Sequence, residues 1–290
     1  MKIGIVGAGS IGLLIASYLA KEHTITLYVK RLEQMDILNK FGIHVLDKFR
    51  ISVCAKPIEH LHEEDLIIIC VKQHQLNDVI KQINHIDSRI PLLFLQNGMG
   101  HLSLIQEDKK TVFVGVVEHG AIRKNDYTVD HLGSGKIKLA LYKGESEYGK
   151  RVSKVLSQKD FQVEFESNWK TLLAKKLVVN AVINPLTAIF DVENREIVKN
   201  RSIRILAQRL CQEACNVLQL DFQTEWKRVK EIALNTGNNY SSMLEDIRNY
   251  RKTEIEAISL FLLNISKNSL PYTNFVYYSV KALEEKKGIQ

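Results

Sequence analysis

A glycine-rich hexapeptide, GAGSIG at residues 7–12, stands between the β-branched run KIGIV and the helical pattern LLIASYLAKE. Glycines at this spacing let a chain leave a strand in a tight turn, bring its backbone against a bulky group and seat the next helix closely on the strand. Gly7 supplies the turn, Gly9 the close approach and Gly12 the helix–strand packing, with Ala8, Ser10 and Ile11 completing the loop. The free N–H groups at the start of the helix then face an anion. A loop of this kind at a strand–helix junction predicts a parallel α/β sheet that holds a dinucleotide by its pyrophosphate.

The rest of the first half agrees. Further β-rich runs occupy residues 24–29, 65–71, 91–96, 111–117 and 136–142, with helix-length intervals between the first five runs of the chain. Such alternation predicts βαβ units and a mostly parallel, doubly wound sheet. The turn-rich HLGSGK segment before the last run predicts antiparallel additions at the end. After Asn168 the texture changes. Residues 169–196, 203–219, 225–234 and 253–267 show helical spacing, with loop signals at 235–239 and 264–272. The fold class expected is α/β: a Rossmann-like dinucleotide domain over 1–167 and an all-helical substrate domain over 168–290.

Composition narrows the partners. Net charge is +7 and the pI about 9.1, but basic residues alternate with acids, as in the tail ALEEKKGIQ, instead of forming an aromatic-laced stripe. Nucleic acid is therefore not an expected partner, whereas a small anion is. The longest aliphatic run, LIIICV, is too short to cross a bilayer. The first residues enter a strand pattern with no signal-peptide signature, so a cytoplasmic location with reduced cysteines is expected. Cys211 and Cys215 lie one helical turn apart with no third ligand nearby, and read as core packing.

The second strand ends YVKRLE. An acidic residue at this point would accept from a ribose 2′-hydroxyl; Lys30 and Arg31 stand there instead, and a guanidinium suits a 2′-phosphate. NADPH/NADP+ is the cofactor expected. Lys72 and Gln75, in VKQHQ, and Asn97 with Gly98, in LQNGMG, follow later strands, where ligands of open α/β sheets bind. EHGA, ending at Ala121, occupies the corresponding place after the next strand; His119 within it reads as structural.

Residues 176–188, KLVVNAVINPLTA, form a helix pattern that is apolar on nearly all sides except at Lys176, Asn180 and Asn184. Spaced i, i+4, i+8, these three share an arc of about 80°. Burying an amide without a partner costs roughly 2–7 kcal/mol. Either the lysine reaches water and the asparagines bond nearby backbone, or the stripe meets an anionic, carbonyl-bearing ligand. Pro185 removes a backbone donor beside Asn184 and is expected to bend the helix. Downstream, NYSSMLEDI (239–247) carries Asn239, Tyr240, Ser241 and Ser242 at a helix start, where capping is the alternative role. RKTEIEAI (251–258) carries Glu254.

Taken together, these segments resemble the ketopantoate reductase family. The resemblance spans the chain and rests on K-L-x-x-N-x-x-x-N-P-L-T-A with S-S-M-L-x-D and T-E-I. It implies NADPH-dependent reduction of 2-dehydropantoate to (R)-pantoate in pantothenate biosynthesis, with Lys176 as general acid. It further implies Asn180, Asn184 and Asn194 on the substrate side and a substrate-holding segment at Asn239–Ser242, with Ser242 near the carboxylate. Glu254 falls at the substrate–cofactor junction, and Lys72, Asn97 and Ala121 at cofactor contacts. An ammonium acting as acid at neutral pH needs its pKa lowered. Arg195, Tyr250, Ser259 and Leu260 depart from the family pattern. A reductase of another 2-oxo acid and a non-catalytic NADPH-binding sensor are the alternatives; the expected partner is a small 2-oxo acid, and a monomer or homodimer both fit.

Overall fold

Isoleucine and valine dominate β1 (Lys2–Val6), and all but its first residue is buried, as a central parallel strand covered on both faces requires. The computed structural model describes residues 1–62, 64–105, 111–144 and 146–289. The chain divides into two units: Met1–Gln96 with Ser103–Leu172, and Asn97–Leu102 with Leu173–Gln290.

In the first unit β1 is followed by α1 (Ser10–Leu19), β2 (Thr24–Val29), α2 (Leu32–Phe41), β3 (Ile43–Val45), β4 (Phe49–Ile51), β5 (Cys54–Pro57), β6 (Leu66–Ile69), α3 (Leu76–Ile83) and β7 (Leu92–Phe94). Then come β8 (Val112–Val117), β9 (Gly120–Arg123), β10 (Thr128–Gly133), β11 (Lys136–Lys143), α4 (Ser146–Leu156) and β12 (Gln162–Glu166). The main sheet has the order β12-β11-β8-β7-β6-β1-β2-β5. It is parallel from β8 through β5. β11 joins β8 antiparallel and β12 lies parallel to β11, the late reversal that the turn signals imply.

A second sheet, β4-β3-β10-β9, is absent from the sequence expectations. Its strands are short and carry polar residues, as in IHV, FRI and TVDHLG, so neither period nor run length marks them.

The glycine loop has the geometry its spacing demands. Gly7 has φ +101°, and a Cβ at Gly12 would lie 1.8 Å from the Gly7 carbonyl oxygen. A Cβ at Gly9 would meet nothing within 4 Å.

Helices make up the second unit: α5 (Trp169–Phe190, beginning in the first unit), α6 (Glu196–Lys199), α7 (Arg201–Leu218), α8 (Phe222–Asn235), α9 (Ser242–Arg248), a π-helical turn (Glu256–Leu260), α10 (Phe261–Ile265) and α11 (Pro271–Lys286). By length and composition α5 could cross a membrane, but 78% of its most apolar window is buried within the protein, as in a core helix. It continues past Pro185 to Phe190. Asn200, Asp221 and Ser241 cap α7, α8 and α9 through their side-chain oxygens, satisfying N–H groups that the first turn leaves open. α11 was not expected from sequence: its opening turns, PYTNFVYY, are rich in β-prone aromatics, yet Pro271 begins it where a missing N–H costs nothing.

Gly12→Ala is expected to destabilise the first unit by about 1–3 kcal/mol, the scale of overpacking against rigid backbone. Gly9→Ala should leave the thermal midpoint nearly unchanged. Thermal unfolding of the two variants checks this, and equal midpoints would contradict the assigned roles.

Candidate functional site

In the first unit Gly9 precedes α1 as its N-cap without a side-chain cap, so the first N–H groups of the helix are open to an anion. The Ser10 hydroxyl accepts from the Arg123 N–H at 3.0 Å. Arg31 caps the start of α2 and pairs with the Asp126 carboxylate. Nothing in the local sequence pattern marks Gln34. Its buried amide donates to the carbonyls of Ala8 and Asp126, each at 3.0 Å, and ties the glycine loop to the turn that carries the Arg31 partner. Lys72 and Gln75 lie at the start and end of a short 3₁₀ turn after β6. Gln96 donates to the carbonyls of Ile69 and Val71 at 3.0 Å, and Ala121 lies in β9.

In the second unit Asn97 and Gly98 are grouped with the helices. Gly98 has φ +77°, and a Cβ there would lie 2.2 Å from the Ala257 carbonyl oxygen, so this close approach demands glycine. The Asn97 amide donates to Glu254 Oε2 at 2.8 Å, and the Asn180 amide faces Asn97 Oδ1 at 3.5 Å. One carboxamide thus stands between the α5 stripe and the T-E-I turn. Asn184 is 8% exposed, and its side-chain amide makes no hydrogen bond among the described residues. Lys176 and Lys175 are each partly exposed.

Asn194 is buried; its amide donates to Thr236 Oγ1 at 2.9 Å, and its N–H to the Asn239 carbonyl at 3.0 Å. Its Oδ1 is buried with no partner among the described residues. The Thr187 and Ser241 hydroxyls are 2.7 Å apart. These contacts hold the Asn239–Ser242 segment to the end of α5. Ser241 is its cap, Ser242 is exposed, and Tyr240 lies under the Arg248 guanidinium at 3.9 Å. Thr187, Thr236 and Arg248 were not singled out from sequence, because hydroxyls and one arginine on helices carry no spacing signal.

A buried pair braces the T-E-I turn. Thr253 donates to Glu284 Oε1 from its N–H at 2.8 Å and its hydroxyl at 2.7 Å. Lys281 reaches Glu284 Oε2 at 2.8 Å and Glu256 at 3.5 Å. Glu284 is 2% exposed. Burial would raise its carboxyl pKa, but hydrogen bonds from Lys281 and Thr253 outweigh that and hold it below the usual carboxylate range. In the sequence Glu284 reads as part of a charged tail; its register with buried Thr273, Val276 and Val280 is the signal that would have found it.

Burial holds two histidines below the usual imidazole range. Burial pushes His101 down to about 4. Burial, then its neighbour His131 and the Lys48 charge, lowers His119 to about 4 as well, and its ring stacks on Phe161 at 4.7 Å. Of the unusual residues, Tyr250 has φ +54°, a conformation that favours glycine. Arg195 has φ −59° and needs none. Ser259 is fully buried in the π-helical turn, its hydroxyl without a partner among the described residues.

Comparison with known proteins matches residues 3–144 to the family model "Ketopantoate reductase PanE/ApbA" and residues 168–284 to its C-terminal counterpart. The chain is 38% identical to the 2-dehydropantoate 2-reductase of Bacillus subtilis (strain 168), covering 98% of each. It is 37% identical to that of Listeria monocytogenes, covering 100% of this chain and 99% of the relative. A crystal structure of the probable 2-dehydropantoate 2-reductase of Bacillus subtilis superposes with a TM-score of 0.87 at 37% identity, covering 98% of this chain and all of that one. D-mandelate dehydrogenase, in a ternary structure with NADH and anilino(oxo)acetate, shares the fold at a TM-score of 0.92 and 23% identity, with complete coverage of both chains.

Glu284→Gln is expected to cost about 1–3 kcal/mol at pH 7, the scale of a hydrogen bond to a charged group. Because the folded-state pKa lies below the unfolded value of about 4.3, the carboxylate's contribution is complete above that value and lost as pH falls through the folded one. The difference in thermal midpoint between wild type and variant should therefore shrink below about pH 4. A constant difference from pH 7 to pH 3 would contradict the assignment.

Proposed function

The chain belongs to the ketopantoate reductase family, and on that premise we propose that it reduces 2-dehydropantoate to (R)-pantoate with NADPH, on the route to pantothenate. One observation carries the reading furthest: on α5, Lys176 shares a helical face with Asn180 and Asn184, and Asn180 adjoins the Asn97–Glu254 hydrogen bond. Buried amides in an apolar helix are costly unless they meet polar groups. A hydroxylated 2-oxo acid offers those groups.

The nicotinamide, when bound, supplies the hydride that C2 of the substrate accepts. Negative charge then grows on the former carbonyl oxygen. The Lys176 ammonium beside it stabilises that charge and transfers its proton to the oxygen, after which the amine regains a proton from solvent. Asn180 orients the lysine. Asn184, Asn194 and Glu254 bond substrate hydroxyls, and Ser242, with the Asn239–Ser241 segment, takes the carboxylate.

On the cofactor side, Gly7–Gly12 hold the pyrophosphate, and the open space over Gly9 beside the crowding at Gly12 suits that role. Arg31 exchanges its Asp126 partner for the 2′-phosphate that distinguishes NADPH. Lys72, Gln75, Asn97 and Ala121 contact the cofactor, with Glu254 at the junction. In this reading residues 1–167 serve the cofactor and 168–290 the substrate.

Oxidation of NADPH or NADH with a panel of 2-oxo acids tests the assignment: ketopantoate with NADPH should be preferred. A better acid would shift the substrate class, and turnover of none would leave a cofactor-binding sensor. Lys176→Ala is expected to lower turnover by about 10²–10⁴ while cofactor binding stays nearly intact. Lys175, roughly 100° round the helix, is the control whose loss should be mild. Arg31→Ala should weaken NADPH binding by about 1.5–3 kcal/mol and leave NADH binding little changed, as measured by fluorescence titration; equal effects on both would remove the 2′-phosphate role.

A further inference from the structure

A concavity lies in the first unit, and none of its lining residues is among those given a role above. It encloses about 610 Å³ between the C-terminal end of α1, the β3–β4 turn, the β10–β11 turn and the turn into β12. Lys21, Lys48, Lys136 and Lys159 line it against a single acid, Asp160. Lys136 is neutralised by Glu164 at 2.5 Å. Among the described residues, the other three have no carboxylate within ion-pair distance.

Two of those three are nevertheless fixed in place. Lys21 lies 4.0 Å from the ring centre of Phe49 and 4.7 Å from that of Tyr18. Lys48 donates to His131 Nδ1 at 3.1 Å, which also faces the Tyr18 hydroxyl at 3.0 Å. With Nδ1 accepting, His131 carries its proton on Nε2, 3.1 Å from His119 Nδ1, and that nitrogen also accepts from the Gly135 N–H. Both histidines are therefore neutral, in keeping with pKa values lowered first by burial and then by the Lys48 charge, with His131 adding to the shift at His119. A neutral acceptor orients an ammonium without cancelling its charge. The negative end of the α1 dipole offsets part of the excess, chiefly at Lys21; Lys48 and Lys159 approach from other walls.

We propose that this concavity is a binding site for a phosphoryl anion carrying two or more negative charges, separate from the glycine loop. Separation follows from α1 itself: Tyr18 stands nine residues beyond Gly9, about 13 Å along the helix axis at 1.5 Å per residue. Phosphoryl chemistry follows from the donors. Lysines bind phosphate as point charges, and no arginine lines the site to offer the planar fork of bidentate recognition. Charges arriving from three walls match an anion whose own charge is spread along a chain.

Isothermal titration calorimetry at low ionic strength, with tripolyphosphate and separately with ATP, compares the full-length wild type with Lys48→Ala/Lys159→Ala. Both ligands should bind the wild type, and the double variant should bind at least about tenfold more weakly, or about 1.4 kcal/mol, with an unchanged thermal midpoint. Lys48→Arg/Lys159→Arg, which keeps the charges, should retain most of the affinity. Tighter binding of ATP than of tripolyphosphate would assign the site to a nucleotide; equal binding would assign it to the phosphate chain alone. Equal affinity in wild type and double alanine variant would place the anion elsewhere, the glycine loop included, and overturn the proposal, as would the absence of binding to wild type.

Discussion

Asn97 donates to Glu254 across 157 residues of sequence, and the polar arrangement of the second unit is organised around that bond. It is made possible by Gly98, where any side chain would collide with the backbone of Ala257. The same asparagine offers its oxygen to Asn180 on α5. Glu254 is held from the other side: its neighbour Thr253 is tied by two hydrogen bonds to the buried Glu284 on the last helix. A short segment, an interior helix, a turn and a C-terminal helix are thereby locked through polar side chains. Leaving any one of these groups buried and unpaired would cost more than the bond returns, which makes the arrangement specific as well as stable.

Much of this was legible in the sequence, where residue type and spacing act together. The glycine loop is readable because Gly7 and Gly12 answer separate steric demands, a positive φ at one and no room for a Cβ at the other, while open space lies over Gly9. The helix through Lys176, Asn180 and Asn184 was readable because polar residues at i, i+4, i+8 stand out against an apolar background. The second sheet was not, since strands of three to six residues with interleaved polar groups have no period to detect. α11 was hidden by its aromatics, and Glu284 by the charged residues around it. Contacts between distant segments, such as Asn194 with Thr236 or Gln34 with Ala8, leave no trace in local pattern.

Arg195, Tyr250 and Ser259 sit in three different settings. Arg195 occupies ordinary helical backbone, so the substitution of a glycine there carries no strain. Tyr250 keeps the left-handed backbone that a glycine would adopt freely, at a cost of about 1–3 kcal/mol, and the Lys287 ammonium lies 4.9 Å from its ring. Ser259 puts a hydroxyl with no partner among the described residues in a π-helical turn only a few residues from Glu254. π-Helical turns gather at functional sites, and this one directly follows the T-E-I motif.

Whether Lys176 is the proton donor depends on where its amine goes when the ligands are bound. A crystal structure of the chain with NADP+ and pantoate answers this directly. The expected result is a Lys176 Nζ about 2.7–3.2 Å from the oxygen on C2 of pantoate, with that carbon facing the nicotinamide. An Nζ directed into solvent, with another group bonded to that oxygen, would contradict it.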